Sequence, residues 1–400
     1  MESLTRIDPA KVSSKSAQLE WRLKSKVVGQ ARAVRQLVKA LEKFQHGLQI
    51  PNRPLAVLLF AGPTGVGKSE LVHALAEVLF SNRNFITRVD CAEFRQEHEI
   101  SKLIGAPPGY VGYRDGFRNQ NAARFSQANL DQFQAQYPKD APRLNIVLMD
   151  EIEKANESIF DILLGILDTG KCTLGNNEKS DMTKTILIMT SNLGSKEVKA
   201  HLEGGRYGFH SPMLAPVREK LDRDIYHASK KAIEKFFRPE FINRLDKIVV
   251  FHSLSEEHLK NILALEIKKF QSRLFQTLHF TMIRLTPAAE SFLLKEGTSE
   301  LYGARELGRT VERLLSEPII SLIGSGQLEK YEDVHVDVEN DALVFDKCLS
   351  KIFTKPDSPI DPAPSTPGFG PGLHGPLWPK ESLTKPLERG IKSNGDLINL

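Results

Sequence analysis

Gly62-Pro63-Thr64-Gly65-Val66-Gly67-Lys68-Ser69 follows the apolar run Leu55 to Phe60 and precedes Leu71, Ala74, Leu75, Val78 and Leu79, which repeat at helical spacing. The octet fills the pattern G-x-x-x-x-G-K-[ST] completely. Glycines without a Cβ let successive backbone N–H groups turn inward on a polyanion. A lysine at this place reaches the β- and γ-phosphates of a nucleoside triphosphate, and the following hydroxyl can hold Mg²⁺. Strand, glycine-rich loop and helix together put the phosphates at a helix N-terminus, where the dipole favours anions. The expected fold class is therefore α/β.

A phosphate loop needs an acid for the metal and a group that orients water. Ile146-Val147-Leu148-Met149 reads as a buried parallel strand, with Asp150 and Glu151 at its C-terminal end. Asp150 is the expected metal-side acid, beside Ser69. Glu151 is the expected group that positions and polarises the attacking water.

Charge and cysteine usage exclude several classes. The 54 Lys and Arg are interspersed with 50 Asp and Glu, for a net charge of only +4, so no basic block points to nucleic acid. Cys91, Cys172 and Cys348 are odd in number and lack C-x-x-C spacing, which suits a reducing compartment. Met1 to Ser16 has no apolar core and carries Glu2 and Asp8, unlike a signal or transit peptide. No apolar run reaches membrane-spanning length, and a cytoplasmic location is expected.

Four parts are expected along the chain: an extension over 1–25, a nucleotide-binding domain over 26–252, a small helical domain over 253–345, and a tail over 346–400. In the second part, strand-like runs (Leu55–Phe60, Phe85–Val89, Ile146–Met149, Thr185–Met189, Ile248–Phe251) alternate with helical patterns, as in a parallel sheet covered on both faces. Ser255 is placed to cap the first helix of the third part, which closes on the alternating strand His335 to Val338. The tail, crowded with proline and glycine from Pro356 to Pro379, reads as disordered.

Further motifs stand in order: Val27-Val28-Gly29-Gln30, Gly105-Ala106-Pro107-Pro108-Gly109-Tyr110-Val111-Gly112-Tyr113, Asp150-Glu151-Ile152-Glu153-Lys154-Ala155, Thr190-Ser191-Asn192, Phe237 to Asp246 (FRPEFINRLD), and Gly303-Ala304-Arg305. From about Val27 to Glu339 the chain closely resembles the second ATPase module of Clp-type AAA+ unfoldases such as ClpB, ClpC and ClpA. The resemblance implies a five-stranded parallel sheet in order 5-1-4-3-2, a helical lid, ATP with Mg²⁺ between them, and a homohexameric ring. It implies that Asn192 senses the γ-phosphate, that Arg244 is an arginine finger reaching the neighbouring subunit, and that Arg305 couples lid closure to ATP. Val27 and Val28 would line the adenine pocket, with core packing as the alternative. Tyr110, beside Val111, would project into the central pore and grip unfolded polypeptide. The stretch before Val27 shows no first ATPase module, so a one-ring architecture is expected.

Three departures from the family pattern stand out. Arg114 to Asn145 is about twice as long as the usual connection and is rich in Gln, Asn and Ala; an exit near the pore is expected. Gly170-Lys171-Cys172-Thr173-Leu174-Gly175 replaces a Gly-Arg-Leu-Thr-Asp stretch, which leaves the second pore loop open. Tyr207-Gly208-Phe209 lies where protease-coupled relatives place a docking tripeptide for a peptidase ring, with tyrosine instead of the usual aliphatic residue. The leading expectation is an ATP-dependent protein unfoldase or remodelling chaperone. Its alternatives are the regulatory ring of a Clp-type protease and a nucleotide-dependent scaffold without turnover.

Overall fold

In the computed structural model, residues 13–106, 123–194, 215–252, 254–278, 282–298, 304–329 and 332–349 are described. The strands are β1 Ala56–Ala61, β2 Thr87–Asp90, β3 Asn145–Asp150, β4 Lys171–Thr173, β5 Lys179–Asp181, β6 Thr185–Ser191, β7 Lys247–Val250, β8 Ile283–Leu285, β9 Glu332–Glu339 and β10 Ala342–Leu349. Five of them form one sheet in the order β2-β3-β6-β1-β7, with every pairing parallel. Counted along the chain and read from the β7 edge, this is the expected 5-1-4-3-2. The central strands β1 and β6 are buried at every residue, as a sheet covered on both faces requires.

Alternation along β1 divides its side chains between two cores. Leu58 and Phe60 face a core shared with the three helices α1 Ser14–Lys24, α2 Ala31–Gln45 and α3 Lys68–Phe80. Val57, Leu59 and Ala61 face the other core, with Ile159, Leu163 and Ile166 of the helix Glu157–Thr169.

The N-terminal boundary lies earlier than the sequence suggested. Residues 14–24, read as part of an extension, form α1, which is capped by Ser13 and buries Leu19 and Leu23 fully in the first core. One helix turn of two leucines is a short signal, and it gains its partners from α2 and α3.

The described part of the long connection, residues 123–145, packs on the body of the domain. Tyr137 stacks on Phe80 at the end of α3 with ring centroids 4.2 Å apart, and Phe133 stacks on Phe85 at 5.0 Å. Phe125 and Leu130 enter the opposite core. These aromatics brace the edge of the sheet. Tyr137→Ala should therefore cost about 3 kcal/mol of stability through the cavity it leaves. A urea unfolding curve at fixed protein concentration reads this as a lower midpoint with an unchanged slope.

The stretch from Gly170 to Gly175 carries β4, which pairs antiparallel with β5, and the Gly175 amide in the turn between them donates to the Ile104 carbonyl at 2.8 Å. The lid has a core of its own, built on Leu263, Leu293, Leu307, Leu315 and Val336. The Ser255 hydroxyl accepts from the His258 amide at 3.3 Å, so Ser255 caps the first lid helix, Glu256–Leu278, as expected. β8, β9 and β10 form a small sheet, and β10 runs to Leu349, past the boundary drawn at 345. No described helix is long and apolar enough to cross a membrane.

Candidate nucleotide-binding site

An open cleft of about 540 Å³ lies between the C-terminal ends of the parallel strands and the lid, a volume suited to a small ligand. Its floor is the phosphate loop between β1 and α3. Gly62 has φ +145°, and a Cβ there would stand 2.7 Å from the Phe251 carbonyl oxygen. Gly67, at φ +99°, turns the chain into α3 from the left-handed region. Both positions exclude a side chain for backbone reasons.

Lys68 is folded into the loop, only 8% exposed. Its Nζ donates to the Gly62 carbonyl at 2.6 Å, the Pro63 carbonyl at 2.7 Å and Asn192 Oδ1 at 2.9 Å. Burial pulls its amine down to about 8, opposed by the charges of Glu153, Asp150 and Glu151. A polyanion in the loop favours the charged form of the amine.

The carboxylates sit opposite. Asp150 Oδ1 accepts from Thr190 Oγ1 at 2.5 Å and from Ser69 Oγ at 3.3 Å, and its Oδ2 accepts from Arg88 at 2.8 Å. Glu151 has φ +56°, a left-handed conformation that a residue with a Cβ holds only against strain of about 1–3 kcal/mol. Thr190 Oγ1 accepts the Glu151 amide at 3.0 Å, and the Glu151 carboxylate takes Asn192 Nδ2 at 3.1 Å and pairs with Lys154. The strained turn aims Glu151 into the cleft instead of along the strand.

Asn192 joins the two halves. Its carboxamide touches Lys68 and Glu151, accepts from Thr64 Oγ1 at 3.4 Å, and so stands between the loop and the acids as expected. Arg305 lines the lid side of the cleft, and the neighbouring Ala304 amide donates to Gly65 of the loop at 3.2 Å. Val27 and Val28 line the cleft as well. Val27 is at the same time a member of the first core.

Arg244 is not a lining residue of this cleft. It sits on the surface after the short helix Pro239–Ile242, with Nε and Nη2 on the two oxygens of Asp168 at 2.6 and 2.8 Å and Nη1 on the Glu240 carbonyl. The Arg244 hydrogen bond holds the Asp168 carboxyl below its usual range. Tyr110 and Val111, the docking candidate Tyr207-Gly208-Phe209, and Gly303 lie outside the described residues.

Sequence reasoning assigned no role to Thr190, Arg88 or Glu153. Thr190 holds both acids, Arg88 pairs Asp150 from the next strand, and Glu153 accepts the Asn192 amide at 2.9 Å. Thr190 and Glu153 fall inside quoted motifs, yet their partners become visible only when β3 and β6 are paired.

Residues 53–248 match the family described as the AAA domain (Cdc48 subfamily), and residues 254–336 match the C-terminal, D2-small domain of ClpB protein. The chain contains an AAA+ ATPase module of the Clp type. This Clp-type module is 39% identical over 330 residues to chaperone protein ClpB 1 of Parasynechococcus marenigrum (strain WH8102), covering 82% of this chain and 34% of the relative. It is 38% identical over 340 residues to chaperone protein ClpB of Blochmanniella floridana, covering 84% and 35%. Against the ATP-dependent Clp protease ATP-binding subunit ClpA homolog of Cyanidium caldarium it is 35% identical, covering 83% and 36%. A solved structure described as a closed-state cryoEM reconstruction of Hsp104 with ATPyS and FITC casein superposes with a TM-score of 0.65 at 30% identity, covering 84% of this chain and 53% of that one. The chain thus spans about a third of the length of the curated relatives that it matches.

Proposed function

We propose that this chain is an ATP-driven protein unfoldase or remodelling chaperone that works as a hexameric ring in the cytoplasm. One observation carries the chemistry. The Asn192 carboxamide contacts the phosphate-loop lysine and the water-orienting acid at once, which is the arrangement needed to read a γ-phosphate and direct an attack on it. A scaffold without turnover has no need for a strained Glu151 aimed at the same asparagine.

Each group then has a defined task. Thr64 to Gly67 present backbone N–H groups to the phosphates, and Lys68 exchanges its carbonyl partners for phosphate oxygens. Ser69 and Asp150 offer a hydroxyl and a carboxylate oxygen 3.3 Å apart, hard donors of the kind that hold Mg²⁺. The ion, when bound, neutralises charge on the β- and γ-phosphates. Glu151 accepts the proton-bearing side of the attacking water while Asn192 keeps its carboxylate in place. Arg305 closes the lid on the nucleotide, and Arg244 serves the site of the neighbouring subunit, which accords with its absence from the lining of its own cleft.

The work on polypeptide is assigned to Tyr110 and Val111. An aromatic grips side chains of many shapes. Tyr110→Ala should keep ATP turnover within about twofold of the parent while stopping the unfolding of a tagged fluorescent reporter. Both are read on one preparation. Parallel loss of turnover and unfolding, or undiminished unfolding, would remove the pore-loop role.

A further inference from the structure

Gln30 ends the Val27-Val28-Gly29-Gln30 motif and is 1% exposed, yet it belongs neither to the acid pair Asp150-Glu151 nor to the phosphate-loop octet. Its side chain is committed to backbone groups of two other segments. Nε2 donates to the Val66 carbonyl of the phosphate loop at 3.2 Å and to the His252 carbonyl at 2.9 Å, and Oε1 accepts the His252 amide at 3.3 Å. His252 follows the end of β7 and stands just before the lid. A single amide therefore spans the loop that meets the phosphates and the strand exit from which the lid departs.

The residue beside it completes the joint. Gly29 has φ +76°, and a Cβ there would lie 2.8 Å from Nδ1 of His258 and 3.1 Å from Leu254 Cδ2. Both belong to the start of the lid, so its first helical turn rests directly on the Gly29 backbone, without a side chain between. The start of the lid thus seats on Gly29, and Gln30 beside it reaches the phosphate loop.

We propose that Gln30 is a positioning residue that transmits the state of the phosphate loop to the lid, so that ATP and ADP set different lid angles. This role rests on the nucleotide-driven reading given above. A displacement of Val66 moves the donor that Gln30 shares with His252. The amide is 1% exposed, so the two segments move together or a buried hydrogen bond is left unmade. A glutamine needed only for packing would stabilise the fold equally in every nucleotide state.

The test is a distance measurement in the full chain. Dyes are placed at Lys43→Cys and Gln276→Cys, both exposed, in a Cys348→Ser, Glu151→Gln background that holds ATP without turnover. The parent should show different energy transfer with ATP and with ADP. In Gln30→Met, which keeps the length and loses all three bonds, that difference should fall below about a third while nucleotide affinity stays within about threefold. Gln30→Asn, a milder change that cannot span both carbonyls, should show the same loss. Should both variants unfold, hydrogen exchange at the His252 amide of the unaltered protein decides: it should change on saturation with ATP, and an unchanged rate overturns the link. Persistence of the full ATP–ADP difference in Gln30→Met overturns the role of Gln30 alone. A parent that shows no difference between the nucleotides removes the nucleotide-driven reading beneath it, and the link with it.

Discussion

Glu151→Gln is expected to keep ATP bound and to slow its hydrolysis by about 10²- to 10⁴-fold, the range for losing a positioned general base. The amide is nearly isosteric, so Asn192 Nδ2 still finds an acceptor where it now meets the carboxylate at 3.1 Å. Lys68, Ser69 and Asp150 keep their partners, since none of their hydrogen bonds runs to Glu151. What disappears is the negative charge aimed into the cleft by the left-handed turn. Equilibrium binding of a fluorescent ATP analogue should match the parent while steady-state phosphate release falls to background. Near-normal release would mean that another group orients the water.

Arg244→Ala is expected to lower turnover by about 10³-fold or more, because an arginine finger stabilises charge that develops during phosphoryl transfer. The structure makes a second demand on this residue. Its guanidinium already holds Asp168 on both oxygens, so loss of activity must be separated from loss of local structure. Exposed pairs of this kind contribute little to stability, and the melting temperature should barely move. Mixing decides between roles in cis and in trans. Inactive Arg244→Ala subunits combined with inactive Glu151→Gln subunits should recover activity, since some mixed interfaces unite an intact finger with an intact base. Mixed rings without recovery would place the function of Arg244 within its own subunit.

The chemistry of this chain was legible because its site is built from short contiguous motifs. Gly62 to Ser69 and Asp150-Glu151 declare their roles through residue type and spacing, and the apolar run before each one places it at the end of a buried strand. The order of the sheet followed from the family resemblance and is seen in the pairing of β1 with both β6 and β7. Less legible were features that depend on partners far apart in sequence. α1 looked like an extension because two leucines are a short signal, and Leu19 and Leu23 become core residues once α1 packs on α2 and α3. The Gln- and Asn-rich connection looked like a pore insertion, since composition hides the few residues that pack. Phe133 and Tyr137 meet Phe85 and Phe80, some fifty residues earlier, and those stacks fix residues 123–145 against the domain. The strain at Glu151 is a backbone fact, and the wiring of Gln30 and Thr190 runs through side-chain hydrogen bonds to segments far away in sequence; neither has a signature in residue type.

The central claim is that ATP turnover at this site unfolds polypeptide. It is tested most directly by incubating the unaltered chain with a tagged, folded fluorescent protein, ATP and Mg²⁺, with a trap that prevents refolding. The account predicts loss of fluorescence that requires ATP and ceases when Glu151→Gln replaces the parent. Sustained ATP turnover with undiminished fluorescence, in a chain shown to have engaged the tagged reporter, would contradict it.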